Sequence, residues 1–303
     1  MNQPMRILIA YDGSSGAEAV LTDLQKAGLP NDVQAIVISV ADVCLWPTST
    51  PEANRLPEPA SVKRAHRKAL QAVEEARALA AKASEQLRTR FPGWNVAAEG
   101  HGESPAWAII QRAHEWNTDL VVVGSHGRSA LSKLVLGSVS QKVITETSCS
   151  VRVARAGTDP GRSEVRIVIG VDGSAGAETA VHAVAERPWP AGSEVRLVAA
   201  LDPMMATAVE WVEGRATNER AWMSKRIENS VEKLRASGLT VTTVIKKGDP
   251  KRVLIKEAKR WGADCVFVGA RGLRGIGRLL LGSVSAAVVA RASCSVEVVR
   301  SYE

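Results

Sequence analysis

Twice along the chain a short apolar run ends in the same three residues: Asp12-Gly13-Ser14 after 6–11, and Asp172-Gly173-Ser174 after 166–171. Twice again a second glycine-rich set follows. One copy reads Gly124-Ser125-His126-Gly127, then nine residues, then Gly137-Ser138-Val139-Ser140. The other reads Gly269-Ala270-Arg271-Gly272, nine residues, then Gly282-Ser283-Val284-Ser285. The chemistry open to such residues is anion binding. A loop that runs from a strand end into a helix start offers free N–H groups and the positive end of the helix dipole. Glycines let that backbone approach a phosphate with no Cβ in the way. Ser138, Ser140, Ser283 and Ser285 add hydroxyls, while Arg128, Lys133, Arg271, Arg274 and Arg278 add countercharge. Two readings of Asp12 and Asp172 stay open: contact with a ligand, or capping of the helix that follows. The glycine-serine loops themselves could also be structural turns.

Bond-breaking chemistry lacks its parts. No Gly-x4-Gly-Lys-Ser/Thr loop, no Gly-x-Gly-x-x-Gly after either first strand and no Gly-x-Ser-x-Gly elbow occurs in the sequence. His126 stands in one loop only, with Arg271 at the matching place, which argues against a catalytic histidine. Cys44, Cys149, Cys265 and Cys294 form no Cys-x-x-Cys pair, so neither a zinc site nor a disulfide framework is expected. Cys149 and Cys294 occupy matching positions and read as small packing residues, with a redox sensor as the alternative.

These motifs are held by a duplication. Residues 119–153 align with 264–298 without a gap at an offset of 145, with 17 of 35 positions identical, and the first motif recurs at an offset of 160. The first copy therefore carries 15 extra residues, placed in the Pro-rich stretch 41–61 and read as a longer loop. Domains are expected at 1–156 and 165–303, joined by a linker at 157–164. In the first copy the patterns predict strands at 6–11, 33–40, 94–99, 120–123 and 151–155. Helices are expected at 14–28, 61–90 with Ser61 as N-cap, 104–116 with Ser-Pro at its start, and 137–147. The second copy repeats the strands at 165–171, 195–201, 240–246, 264–268 and 295–299. Alternating strands and helices mean an α/β fold: two repeated, doubly wound, five-stranded parallel sheets with helices on both faces. Such sheets bind ligands outside the carboxyl ends of their strands, where both motifs fall.

Composition agrees. The 303 residues suit two domains, and 45% apolar with 23% charged residues excludes disorder for the bulk of the chain. With eight Trp, two Tyr and two Phe, the core must be aliphatic, as parallel sheets require. The net charge of +7 is uneven: 17 basic and 15 acidic groups up to residue 155, 22 and 17 beyond it. The stretch Lys246, Lys247, Lys251, Arg252, Lys256, Lys259 and Arg260 reads as a solvated helix face rather than a nucleic-acid patch. No run reaches the ~18 apolar residues of a membrane span, and the first twelve residues lack signal-peptide anatomy. A cytoplasmic, reducing location is the simplest reading.

Taken together, the Asp-Gly-Ser start and the Gly-x2-Gly-x9-Gly-Ser loop, each present twice, resemble the universal stress protein family, here as two domains in tandem over almost the whole chain. The resemblance implies an adenine nucleotide hydrolase-like fold and, in some members, ATP in this loop, with Mg2+. It would place base and ribose near Asp12 and Asp172, adenine beside Val40 and Ala200, and phosphates on Gly127, Gly137, Ser138 and Ser140 or Gly272, Gly282, Ser283 and Ser285. Gly124, Val139, Gly269 and Val284 complete the two loops. AMP or a cyclic nucleotide remains open. Copy one has Ser129-Ala130 and Ser132 where copy two has Gly275 and Gly277 close by, so copy two is the favoured site. The expected role is a stress-response sensor or switch, in which occupancy orders the glycine loops and alters a surface that protein partners read. A dedicated enzyme is not expected, with slow ATP hydrolysis left open. The alternative is a nucleotide-free protein acting through assembly or partner binding, and a weaker one is a basic nucleic-acid-associated protein. Pairing of the copies as an intramolecular pseudo-dimer through the final strands is expected, with a homodimer possible beyond it.

Overall fold

A computed structural model describes residues 3–43, 60–127, 136–156, 162–201, 219–272 and 281–301. The first half contains β1 (Met5–Ala10), α1 (Ser15–Asp23), β2 (Val33–Ala41), α2 (Ala60–Arg90), β3 (Trp94–Gly102), α3 (Pro105–Glu115), β4 (Leu120–Gly124), α4 (Ser138–Glu146) and β5 (Ser150–Ala154). The second contains β6 (Arg166–Gly170), α5 (Ala175–Ala185), β7 (Glu194–Leu201), α6 (Glu219–Ala236), β8 (Thr240–Lys247), α7 (Pro250–Trp261), β9 (Cys265–Gly269), α8 (Ser283–Arg291) and β10 (Ser295–Val299). Two differences from the sequence patterns concern helix ends. Ser61 lies inside α2, which already includes Ala60. The first helix stops at Asp23 and tightens into a 3-10 turn at Leu24–Lys26. The Pro-rich residues 44–59 and linker residues 157–161 lie outside the described residues.

Each half forms the expected five-stranded parallel sheet, and the two join edge to edge through their final strands into one sheet of ten strands. Its strand order is β3-β2-β1-β4-β5-β10-β9-β6-β7-β8. Pairing is parallel within each half and antiparallel at the join, where Val153, Arg152 and Val151 face Val296, Glu297 and Val298. Because the join is antiparallel, the carboxyl ends of the two halves' strands point to opposite ends of the sheet. The sites they build are therefore far apart.

Strand alternation sorts the core. Val151, Val153, Val296 and Val298 belong to one apolar layer that runs continuously through both halves under α3, α4, α7 and α8. On the other face the apolar residues split into two clusters, one beneath α1 and α2, the other beneath α5 and α6. Between them sits charge. Arg152, fully buried, donates to Asp23 (2.6 and 3.0 Å) and to Glu297 (3.2 Å). Arg187 also reaches Glu297 (2.5 Å) and donates to the Ala27 carbonyl (3.0 Å). Burial works against the Arg152 charge, but the Asp23 and Glu297 carboxylates more than offset it and hold the guanidinium charged.

Arg155 and Arg300, equivalent in the repeat, fasten the join reciprocally. Arg155 donates to the Val289 carbonyl in α8 (2.5 Å) and Arg300 to the Ile144 carbonyl in α4. Both receptors lie in the last turns of their helices, where carbonyls lack helical donors and favour a cation.

α7 carries a buried acid that predicts a pH effect. Burial would raise the Glu257 carboxyl, but hydrogen bonds from Lys246, Arg260 and Arg196 outweigh it and bring it to about 2, from 4.5. A lowered carboxyl adds stability above its unfolded value, lost as pH falls from about 4.5 towards 2, and worth at most about 3 kcal/mol. Glu257→Gln should flatten the acid limb of a urea-denaturation series between pH 5 and 2 by a part of that amount, since exposed Lys246 and Arg260 are screened by water. An unchanged acid limb would show that Glu257 is not what those cations stabilise.

Candidate functional site

Each site begins where a first strand stops. Beyond β1, Gly13 adopts φ 74°, and beyond β6, Gly173 adopts φ 77°, left-handed conformations that exclude most side chains. The chain turns there because the aspartate before it accepts from the serine N–H after it: Ser14 to Asp12 Oδ1 and Ser174 to Asp172 Oδ1, both 3.0 Å. The helix cap itself is the serine. Ser14 Oγ accepts from the Ala17 N–H and Ser174 Oγ from the Ala177 N–H, both 3.2 Å. The aspartates therefore hold the turn ahead of the helix. Their second oxygens lie against the next motif. A Cβ on Gly127 would stand 2.9 Å from Asp12 Oδ2, and one on Gly272 would stand 2.5 Å from Asp172 Oδ2. The two motifs, over a hundred residues apart or nearly so, thus meet in each half.

The fourth strand of each half ends against the first helix. A Cβ on Gly16 would overlap the His126 carbonyl oxygen, and one on Gly124 would stand 2.8 Å from the Gly16 backbone. Gly176 with Arg271 and Gly269 with Gly176 repeat the contact. Gly124 and Gly269 therefore make room for a helix. Gly16 and Gly176 were not singled out by motif reading, although they stand at one position of the duplicated Asp-Gly-Ser segment. Spacing alone does not show which glycine a neighbour needs.

The loops then return to start α4 and α8. Gly137 N–H donates to the Ser125 carbonyl and Gly282 N–H to the Ala270 carbonyl, both 2.8 Å. Buried Ser140 and Ser285 donate their hydroxyl protons to the Gly124 and Gly269 carbonyls, both 2.6 Å. A hydroxyl has one proton, so these serines pin helix to strand instead of offering a donor to an anion. Exposed Ser138 and Ser283 keep that capacity. The N-caps of α4 and α8 are Gly137 and Gly282, with no side-chain cap, whereas α1 and α5 are capped by serine. The first-turn N–H groups of Ser138, Val139 and Ser140, and of Ser283, Val284 and Ser285, have no acceptor within their own helix. Half-buried Val139 and Val284 also pack on the shared apolar layer.

The remaining expected residues are spread around these points. Val40 and Ala200 lie one residue before the ends of β2 and β7, half-buried, paired in register with His101 and Lys246. In the second half Arg226 Nη2 donates to the Gly173 carbonyl (3.0 Å) with its guanidinium 4.9 Å from the Trp222 ring centre. No repeat signal marks that pair. Beside the first site, burial and the Glu18 carboxylate that accepts its proton both push the Tyr11 phenol up. Arg128, Lys133, Arg274, Arg278, Ser129, Ala130, Ser132, Gly275 and Gly277 lie outside the described residues, as does Cys44. Burial pushes the Cys149 thiol up to about 11 and Cys294 to about 12. Buried and kept as thiols at neutral pH, both suit packing and not redox sensing. Among the described residues no group of three or more His, Cys, Asp or Glu could hold a metal ion, and no helix is long and apolar enough to cross a membrane.

Comparison with known proteins gives one result over the whole length. The model of the universal stress protein family matches twice, at residues 4–155 and 165–300. A universal stress protein of Mycobacterium tuberculosis is 26% identical over 312 residues, spanning 99% of each chain. Another, from Mycolicibacterium smegmatis, is 32% identical over 216 residues, 69% of this chain and 70% of its own. The crystal structure of a universal stress protein from Archaeoglobus fulgidus superposes with a TM-score of 0.65 at 20% identity, covering 99% of both chains, which speaks for the shared fold.

Proposed function

The chain belongs to the universal stress protein family, one family domain in each half, and from that premise we propose that it binds an adenine nucleotide at one or both strand-end sites and acts as a cytoplasmic stress-response switch. The observation that carries the reading is the contrast between helix starts. Ser14 and Ser174 cap α1 and α5, whereas glycines open α4 and α8 with no side-chain cap. An uncapped helix start at the carboxyl end of a parallel strand, opened by glycine, offers a phosphate free N–H groups and the positive end of the helix dipole.

In this reading the first-turn N–H groups of Ser138 and Val139, or Ser283 and Val284, hold the phosphates, with the Ser138 or Ser283 hydroxyl. Asp12 or Asp172 accepts from the ribose hydroxyls, and the adenine lies by Val40 or Ala200. ATP is the ligand we assign to this arrangement, and its Mg2+ would come with the triphosphate and offset its charge. Occupancy, not turnover, is the signal: a ligand that prefers one state of the loops shifts the surface that partner proteins read. The absence of a nucleophile–base pair from the motifs supports a role other than dedicated catalysis.

Calorimetric titration of the nucleotide-free chain with Mg·ATP tests this. Asp12→Asn and Asp172→Asn keep the oxygen that accepts from Ser14 or Ser174 but lose the charge. The variant in the working half should bind about tenfold to a hundredfold more weakly, the cost of a hydrogen bond to a charged group. Equal heats from both variants and the parent would remove the aspartates from the site.

A further inference from the structure

The second half carries a surface that its own repeat lacks. Residues 246–260 hold Lys246, Lys247, Lys251, Arg252, Lys256, Lys259 and Arg260 against two carboxylates, Asp249 and Glu257. The matching residues 101–115 hold Arg112 against Glu103 and Glu115, with His101 and His114. Both stretches form the same strand end and the same Pro-initiated helix, β3–α3 and β8–α7. The fold therefore does not demand the cations.

Their placement on α7 makes the point sharper. Arg252, Lys256, Lys259 and Arg260 are exposed and spaced to share one helix face. Lys259 and Arg260 lie in the last turn, where the helix dipole favours them. Lys251 and Arg252 lie in the first turn, where it does not. Glu257, the acid within the stripe, is buried and already accepts from Lys246 (2.5 Å), Arg196 (2.8 Å) and Arg260 (3.0 Å). It anchors the patch from beneath.

We propose that this β8–α7 face docks the phosphodiester backbone of duplex nucleic acid, without reading its sequence. Charge complementarity selects the occupant. From Arg252 to Lys259 the helix rises about 10 Å, and a duplex presents one charge per about 1.7 Å of its axis, so the stripe meets several phosphates at once. A membrane surface fits less well. The exposed large apolar side chains among the described residues are Val62, Leu70 and Trp107, all in the first half, so none lies on this face to insert. Single strands call for exposed aromatic platforms, and Trp261 is half-buried with Arg196 (4.2 Å) and Arg166 (5.8 Å) over its ring. The solvated face expected from sequence becomes a docking face once its first-turn cations and its nearly neutral counterpart are compared.

The test is fluorescence anisotropy of the full chain with a labelled 20-base-pair DNA of arbitrary sequence. With about four phosphates neutralised, affinity should fall about a hundredfold between 50 and 200 mM salt. The triple variant Arg252→Gln, Lys256→Gln, Lys259→Gln should reduce the salt slope by about three. It should bind at least tenfold more weakly at 50 mM, with unchanged thermal melting, since all three side chains are exposed. Removing equal charge elsewhere, with Lys63→Gln, Arg64→Gln, Arg67→Gln on α2, should leave most of the affinity. No binding at 50 mM, equal losses from both triple variants, or capture by phosphatidylserine vesicles but not by DNA would overturn the proposal.

Discussion

Replacing Arg152 with methionine is expected to cost the folded chain about 3–5 kcal/mol, the usual penalty for removing one partner from a buried ion pair. Two carboxylates, Asp23 and Glu297, would lose the guanidinium that holds them, and both are buried. Ser295, which donates to Asp23 at 2.6 Å, and Arg187 on Glu297 can offset part of this but add no charge at Asp23. Urea denaturation at neutral pH reads the loss. A change below about 1 kcal/mol, the scale of a surface pair, would mean that water reaches the network. Position also gives this pair a second meaning. Residues 152 and 297 are equivalents in the repeat and face each other in the antiparallel join. Pairing of like halves through this strand would bury two guanidinium groups or two carboxylates against each other. Unlike halves neutralise each other, so this charge pair favours a first half joined to a second half over two like halves.

Gly16→Ala and Gly176→Ala should be the most damaging small substitutions near the sites. Helix propensity alone favours alanine by about 1 kcal/mol. Overlap with the His126 or Arg271 carbonyl reverses the sign, because backbone on both sides must move. A net loss of about 2 kcal/mol is expected, in the range of overpacked cores, together with displacement of the loop from Asp12 or Asp172. Gly137→Ala is the control: its Cβ would stand 3.5 Å from the nearest atom, in ordinary contact. Melting curves for the three variants decide it. Parent-like stability in Gly16→Ala would show that α1 does not need the close approach to β4.

Much of this was legible because the chain repeats itself. Parallel strands are buried on both faces, so runs such as Ile7-Leu8-Ile9 and Ile167-Val168-Ile169 announce themselves. The loop glycines and serines stand at identical spacings in both copies. What stayed hidden depends on which atoms meet in space. Arg152 against Glu297 looks like divergence in an alignment and is a pairing in the fold. Ser140 and Ser138 look alike in sequence, yet one hydroxyl is spent on the Gly124 carbonyl and the other faces solvent. Gly124 suggests a ligand by its motif and serves Gly16. The joining of the two sheets runs through the outer edges of β5 and β10; their apolar pattern says only that they are buried, and it is the family resemblance, not that pattern, that points to pairing through the final strands.

The central claim is nucleotide occupancy, and its most direct test is to denature the purified chain and identify and count released nucleotide by chromatography. The account predicts an adenine nucleotide at near one or two per chain, reduced by Gly127→Val or Gly272→Val, each of which would drive a side chain into the aspartate of its own half. The variant that lowers the count names the working half. A chain that releases none, and gives no heat with millimolar Mg·ATP, would contradict it. The glycine-opened helices would then be architecture, and the protein would act through its partners alone.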